Sequence, residues 1–213
     1  MKLLAIGAHL DDIELACGGT LAKAVAKGHQ VKMVVLSASE YTNYDGKLMR
    51  PKSCALAEGR KAASILGVED LQILDFPAKE IPYHHSVVEP LDQIISSYQP
   101  DLIFSHWPFD THQAHQGAAL SSISAARYFN SILLFEPITP SGRSYVAFRP
   151  QVYIDITDFI DIKLEALAAH KSEYEKYGSR WLEAVKARAN HRGFEMGVKF
   201  AEAFEVMRLE LKL

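Results

Sequence analysis

Cysteine is scarce: the 213-residue chain has two, Cys17 and Cys54. Two thiols exclude a disulfide framework, and their spacing matches no zinc knuckle. Both fall in stretches that read as helical, where a thiol serves as a small buried hydrophobe. No apolar run reaches the roughly 18 residues of a membrane-spanning helix. The opening "MKLLAIGAH" meets a charged cluster too soon to be a signal peptide. The cytoplasm is therefore the expected compartment. Excess basic charge is also missing, since 23 Lys and Arg face 26 Asp and Glu for a formal charge of −3. The bulk electrostatic signal of a nucleic-acid binder is absent. Internal repeats and low-complexity segments are lacking too. The chain carries no G-x-G-x-x-G after its first apolar run, no P-loop and no G-x-S-x-G elbow. Dinucleotide, nucleoside triphosphate and serine-hydrolase chemistry lose their usual signatures.

What remains is a globular composition, 48% hydrophobic and 23% charged, long enough to bury a sizeable core as one domain. Short apolar runs alternate with helical spacing. Residues 2–8 read as a buried strand, followed by a helix ending at Gly28. "QVKMVVLS" is a second strand, with a helix closing at Gly67 after it. "DLQILDF" is a third, followed by a helix around 86–98 that Pro90 would start near Glu89. "PDLIFSHW", a helix over 115–129 and "SILLFE" complete a core over 1–136. Residues 137–213 of the same domain add a Pro/Gly/Ser-rich loop, the strand "QVYIDI" and helices from Thr157 onward. Phe200, Phe204 and Met207 fall on the last of these helices, available to the core or to a subunit interface. The pattern predicts an α/β, Rossmann-like fold, with a mainly parallel sheet in the order 3-2-1-4-5 and helices on both faces.

In that order strands 1 and 4 are neighbours at the topological switch point, where ligands bind beyond the carboxyl ends. Two polar clusters follow those strands. The first is "HLDDIE", His9 to Glu14; the second runs from His106 to His115 and holds three of the nine histidines. Imidazole and carboxylate donors with an open position mark a catalytic metal site. His9 and Asp12, three apart in a tight turn, can face one point, which leaves Asp11 free to act on water. His112 and His115 share that offset, so one can ligate while the other reaches across the open position. An Asp opening a helix is ordinarily a cap, and a lone His a packing residue. Two clusters at adjacent strand ends favour the metal. His84 and His85, beyond strand 3, read as surface residues. Gly18 and Gly19 read as close packing of the first helix against the sheet.

At these positions the chain resembles the PIG-L (LmbE-like) family of zinc-dependent N-acetylglucosaminyl deacetylases. The family's A-H-P-D-D with a later Gly-Gly is similar to Ala8-His9-Leu10-Asp11-Asp12 and Gly18-Gly19, and its H-x-D-H to His112-Gln113-Ala114-His115. Glu58, Ala62 and Leu66-Gly67-Val68 match its second helix, and "IDITDFIDIKLEAL" and "AEAFEV" its C-terminal part. The resemblance implies His9, Asp12 and His115 as metal ligands and Asp11 as general base. It implies that His112, protonated, stabilises the oxyanion. The His₂Asp set suits Zn²⁺ and also Fe²⁺. The implied substrate is a small N-acetylated amino sugar, the implied assembly a homo-oligomer. An amidase acting on another N-acyl or thiol conjugate is the enzymatic alternative. A non-catalytic binder of a sugar or nucleotide is the alternative of a different class. The chain departs from the family at Leu10, which replaces proline. Glu14 sits one place late, and Ala114 stands for the second-motif Asp, a place Asp110 could fill. The family's arginine is absent at Ala55, so Arg50 is expected to contact substrate, with Tyr44 of the 40–50 loop and Trp107. Arg143 and Tyr145 are expected to border the crevice or an interface.

Overall fold

The computed structural model describes residues 1–43, 45–138 and 140–211. Its sheet begins with β1 (Lys2–Gly7), β2 (Gln30–Val35), β5 (Asp70–Ile73), β6 (Leu102–Ser105) and β7 (Ile132–Phe135). β1, β6 and β7 are almost continuously apolar because helices cover both of their faces. All pairings among the five are parallel, giving β5-β2-β1-β6-β7, the expected 3-2-1-4-5 order. Helices α1 (Asp12–Ala26) and α2 (Lys52–Ile65) cover one face, α3 (His85–Tyr98) and α4 (Gln113–Ala125) the other. The 40–50 stretch holds a small hairpin, β3 (Tyr41–Thr42) with β4 (Leu48–Arg50). β8 (Val152–Asp155) lies at the sheet edge. The 3-10 turn Thr157–Phe159, α5 (Ile160–Ala168), α6 (Lys171–Tyr177) and α7 (Ser179–Met196) follow. Among the described residues no helix is long and apolar enough to cross a membrane.

The sequence reading fails in two places. The last element is a strand, β9 (Ala201–Arg208), inserted antiparallel between β7 and β8. Phe204 is buried in the core and Phe200 nearly so, and only Met207 faces outward. Period-two alternation is hidden because both faces of β9 are covered and it buries two carboxylates. Glu202 accepts from the backbone N–H groups of Gly19 and Thr20 and pairs with Lys163, while Glu205 pairs with Arg149. Helix α3 starts at His85, ahead of Pro90. The His84 side chain caps it by accepting from Ser86 N, and buried Val87, Leu91 and Ile95 hold it to the sheet, offsetting the bond the proline lacks. His84 and His85 are exposed, as read.

The glycine pair has a more particular explanation than sheet packing. Helix α1 is interrupted at Cys17, whose φ of −139° and ψ of 17° break its ladder. Lys163 Nζ donates to the freed Leu15 carbonyl at 2.7 Å, and Glu202 caps the second half at Gly19 and Thr20. A Cβ at Gly19 would sit 2.8 Å from Ile156, just past β8. The pair therefore packs against β8's end and α5.

Candidate metal and catalytic site

β1 and β6 are adjacent, so the segments leaving their carboxyl ends meet over one cavity of about 660 Å³. The turn after β1 is built by Asp12, whose Oδ2 accepts from the His9 backbone N–H at 2.6 Å. Asp11 opens α1 at φ 140°, a conformation costing a non-glycine residue about 1–3 kcal/mol. Its carboxylate makes no capping hydrogen bond, so the cap explanation fails for it; the side chain lines the cavity. Burial first, then the charge of neighbouring Asp12, pushes its pKa up to about 7.

His9, Asp12 and His115 place one donor atom each within 4.8 Å of one another. His9 Nε2 lies 2.7 Å from the Ala78 carbonyl, which can only accept, so that nitrogen carries the proton and Nδ1 is free. Nδ1 faces His115 Nε2 at 3.2 Å and Asp12 Oδ2 at 3.4 Å. His115 mirrors the arrangement: Nδ1 is 3.1 Å from Asp110 Oδ2 and Nε2 is 3.3 Å from Asp12 Oδ1. Burial works against charge here, yet Asp12 and Asp110 push the His115 pKa up to about 10. Asp12 itself is held well below the usual carboxylate range, because His115 and His106 outweigh the effect of burial. Anionic oxygen and oriented imidazole nitrogens around one point fit a divalent cation such as Zn²⁺ or Fe²⁺.

His112 is the cap of α4. Its Nδ1 accepts from Ala114 N at 3.2 Å, which leaves Nε2 as the proton-bearing nitrogen. Burial and the neighbouring His115 and His9 push its pKa down to about 4. That shift favours a neutral ring over the imidazolium, and the ring stacks on His115 at 4.5 Å. Asp110 does not replace the second-motif Asp at the His112 ring. Its Oδ1 accepts from the His112 backbone N–H and its Oδ2 faces His115.

The residues expected to touch substrate differ in placement. Trp107 lines the cavity but is 1% exposed, its ring packed on Phe109 and Phe148. Arg50 also lines it at 2% exposure, in an ion pair with Glu58 at 3.1 Å. Tyr44 lies outside the described residues. Two buried groups beside Arg50 went unread in the sequence. His170 Nδ1 is 3.2 Å from Arg50 Nη2 and its Nε2 is 3.3 Å from Glu14 Oε1; Glu173 approaches Arg50 at 3.9 Å. A histidine before a charged helix carries no motif, so only tertiary contact reveals it. Tyr41 of the 40–50 loop, read in the sequence as a substrate contact, lines the cavity; Tyr177 and Trp181 beside it went unread, and Lys176 lies over both tyrosine rings.

A family profile described as "PIG-L: GlcNAc-PI de-N-acetylase" matches residues 4–126. The chain is 33% identical over 177 residues to the Escherichia coli K12 protein named "Uncharacterized deacetylase YaiS", covering 80% of this chain and 90% of that one. It is 28% identical to the diacetylchitobiose deacetylase of Thermococcus kodakarensis, covering 94% of this chain and 81% of that protein. The crystal structure of a conserved protein from Thermus thermophilus, TT1542, matches with a TM-score of 0.84 at 26% identity, over 99% of this chain and 96% of that one.

Proposed function

The chain belongs to the PIG-L family, and from that premise we propose that it hydrolyses the N-acetyl group of an N-acetylglucosamine-type amino sugar or conjugate, with a divalent cation held by His9, Asp12 and His115. The observation that carries this reading is the convergence of His9 Nδ1, Asp12 and His115 Nε2, with the other nitrogen of each ring tied back by Ala78 and Asp110. A bound cation of this kind brings the pKa of water down toward about 7 and polarises the acetyl carbonyl.

The chain's own residues supply the rest. Asp11, uncommitted to the helix cap, takes a proton from the attacking water at its carboxylate, a contribution typically worth about 10²–10⁴ in rate. That proton is the one the leaving nitrogen needs when the C–N bond breaks to give acetate and the free amine. His112 presents Nε2–H to the oxygen on which negative charge develops, its other nitrogen pinned by Ala114 N. A neutral donor is the form its environment favours.

A cavity of about 660 Å³ holds far more than an acetyl group. Trp107 and Phe135 wall the inner part, and Tyr41, Tyr177 and Trp181 offer aromatic faces further along, suited to the apolar face of a sugar or its conjugated group. The relative named diacetylchitobiose deacetylase supports this substrate class.

The test is acetate release from N-acetylglucosamine and N,N′-diacetylchitobiose by metal-stripped and Zn²⁺- or Fe²⁺-reconstituted protein. Turnover is expected only with metal. Asp11→Asn is expected to keep one metal per chain and lose about 10²–10⁴ in kcat, and His115→Ala to lose the metal. Full activity in a metal-free preparation would overturn the proposal.

A further inference from the structure

Leu10, which stands where the family motif has proline, and Arg50, expected to act in place of the arginine missing at position 55, meet at one point in the structure. Asp11 sits at φ 140°, the left-handed side of the backbone map where a side chain is strained. Something must hold it there, because rotation of the Leu10–Asp11 peptide would relieve it. One bond opposes that rotation directly, and a second fixes the peptide before it. Arg50 Nη1 donates to the Leu10 carbonyl at 3.2 Å, fixing the peptide plane from which the Asp11 torsion starts. On the other side of Leu10, its own N–H donates to Ser39 Oγ at 2.7 Å, a bond that proline cannot make.

Both partners are themselves fixed. Ser39 Oγ donates to the Ser37 carbonyl at 3.2 Å, and Ser39 N donates to Ser37 Oγ at 3.0 Å. Arg50 is anchored by Glu58, whose carboxylate accepts from Ser172 N and Oγ at 2.8 and 2.7 Å. The Leu10 side chain is buried against α2 at Gly59, where a Cβ would come within 2.4 Å of it. A side chain at position 59 would force the Leu10 side chain to shift.

We propose that Arg50 and Ser39 are positioning residues that hold Asp11 in its strained, cavity-facing conformation through the Leu10 peptide groups, rather than contacts for the substrate. The proposal rests on the deacetylase reading above, in which Asp11 is the base. It predicts an effect on the chemical step. A clamp on the base changes kcat, whereas loss of a uniform substrate contact changes KM. Metal ligands His9, Asp12 and His115 are not bonded to either residue, so metal affinity is expected to stay constant. Arg50 lines the cavity, so a substrate contact is the competing role, and the experiment separates the two.

The variants are Ser39→Ala, Arg50→Lys, Leu10→Pro and the Leu10→Pro/Ser39→Ala double variant, each metal-reconstituted and assayed for acetate release, metal affinity and thermal midpoint. Ser39→Ala is expected to lower kcat about three- to tenfold, the span of one neutral hydrogen bond. Arg50→Lys is expected to lower it about ten- to a hundredfold, as for a bond from a charged donor. KM and metal affinity should stay within about twofold in both, as uniform binding is untouched. In the Leu10→Pro background, which has no N–H to offer, Ser39→Ala should change nothing further. A crystal structure of Arg50→Lys should show Asp11 relaxed away from φ 140°. The proposal is overturned if Arg50→Lys raises KM at constant kcat, if Ser39→Ala acts equally in both backgrounds, or if Asp11 keeps its conformation in Arg50→Lys. Should Arg50→Lys fail to fold, the Leu10 and Ser39 cycle decides alone. Absence of turnover in the unsubstituted, metal-loaded protein would instead fail the deacetylase reading, and the Asp11 conformation in Arg50→Lys would still test the clamp.

Discussion

Asp12 and Asp110 flank His115 on both ring nitrogens and push its pKa up to about 10 against burial, which favours a protonated ring until a cation binds. A cation at its Nε2 must displace that proton. Below the folded pKa the proton is bound, so at about pH 7 metal binding should release about one proton, and affinity should fall as pH falls. Calorimetry in buffers of different ionisation enthalpy measures the release directly; buffer-independent heats would contradict it. Asp110 Oδ2 orients this ring by accepting from Nδ1–H. Asp110→Asn should weaken metal binding roughly 10–100-fold, as for loss of an outer partner of a metal-ligating histidine, while the chain stays folded. Equilibrium dialysis against a competing chelator would detect it.

Helix α1 delivers Asp11 and Asp12 to the cavity and then breaks at Cys17, where Lys163 and Glu202 take up the backbone groups that the break frees. Those two side chains come from α5 and β9, so the helix that carries the first cluster is braced by the last strand of the fold. Gly19 lies at the closest approach, 2.8 Å from Ile156 for an added Cβ. Gly19→Ala should therefore destabilise the fold by about 1–3 kcal/mol, the usual cost of overpacking, despite alanine's higher helix propensity. Urea unfolding would show it as a lower midpoint, and an unchanged or raised midpoint would mean that Ile156 gives way without cost.

For the whole molecule the cavity is a place where like charges have been gathered. Asp11, Asp12 and Glu173 all line it, and Glu14 and Glu58 are buried beside it. Arg50 and His170 pair with some of these groups, Lys79 and Lys176 also line the cavity, and a divalent cation would offset part of the negative charge that remains. Free metal at about a hundred times its Kd should add about 2.7 kcal/mol of stability, a rise of several degrees in thermal midpoint for a chain of this size. His115→Ala should abolish the rise. A midpoint that does not respond to metal in the unsubstituted protein would count against the cation site at these ligands.

The chain's local pattern determined the order of its five parallel strands and the two His/Asp clusters that end up together, because apolar period and short motifs are properties of neighbouring residues. It also determined that those clusters meet, since strands 1 and 4 of a doubly wound sheet are adjacent. Tertiary structure alone decided the rest. β9 was read as helix because Glu202 and Glu205 are buried by partners drawn from Gly19 and Arg149, far away in the chain. Which nitrogen of each histidine faces the cavity depends on Ala78 and Asp110. The downward shift of the His112 pKa comes from burial among other imidazoles, which the motif does not show. The unusual backbone of Asp11 is invisible in its letter, because a torsion angle is set by what holds the peptide on either side of it.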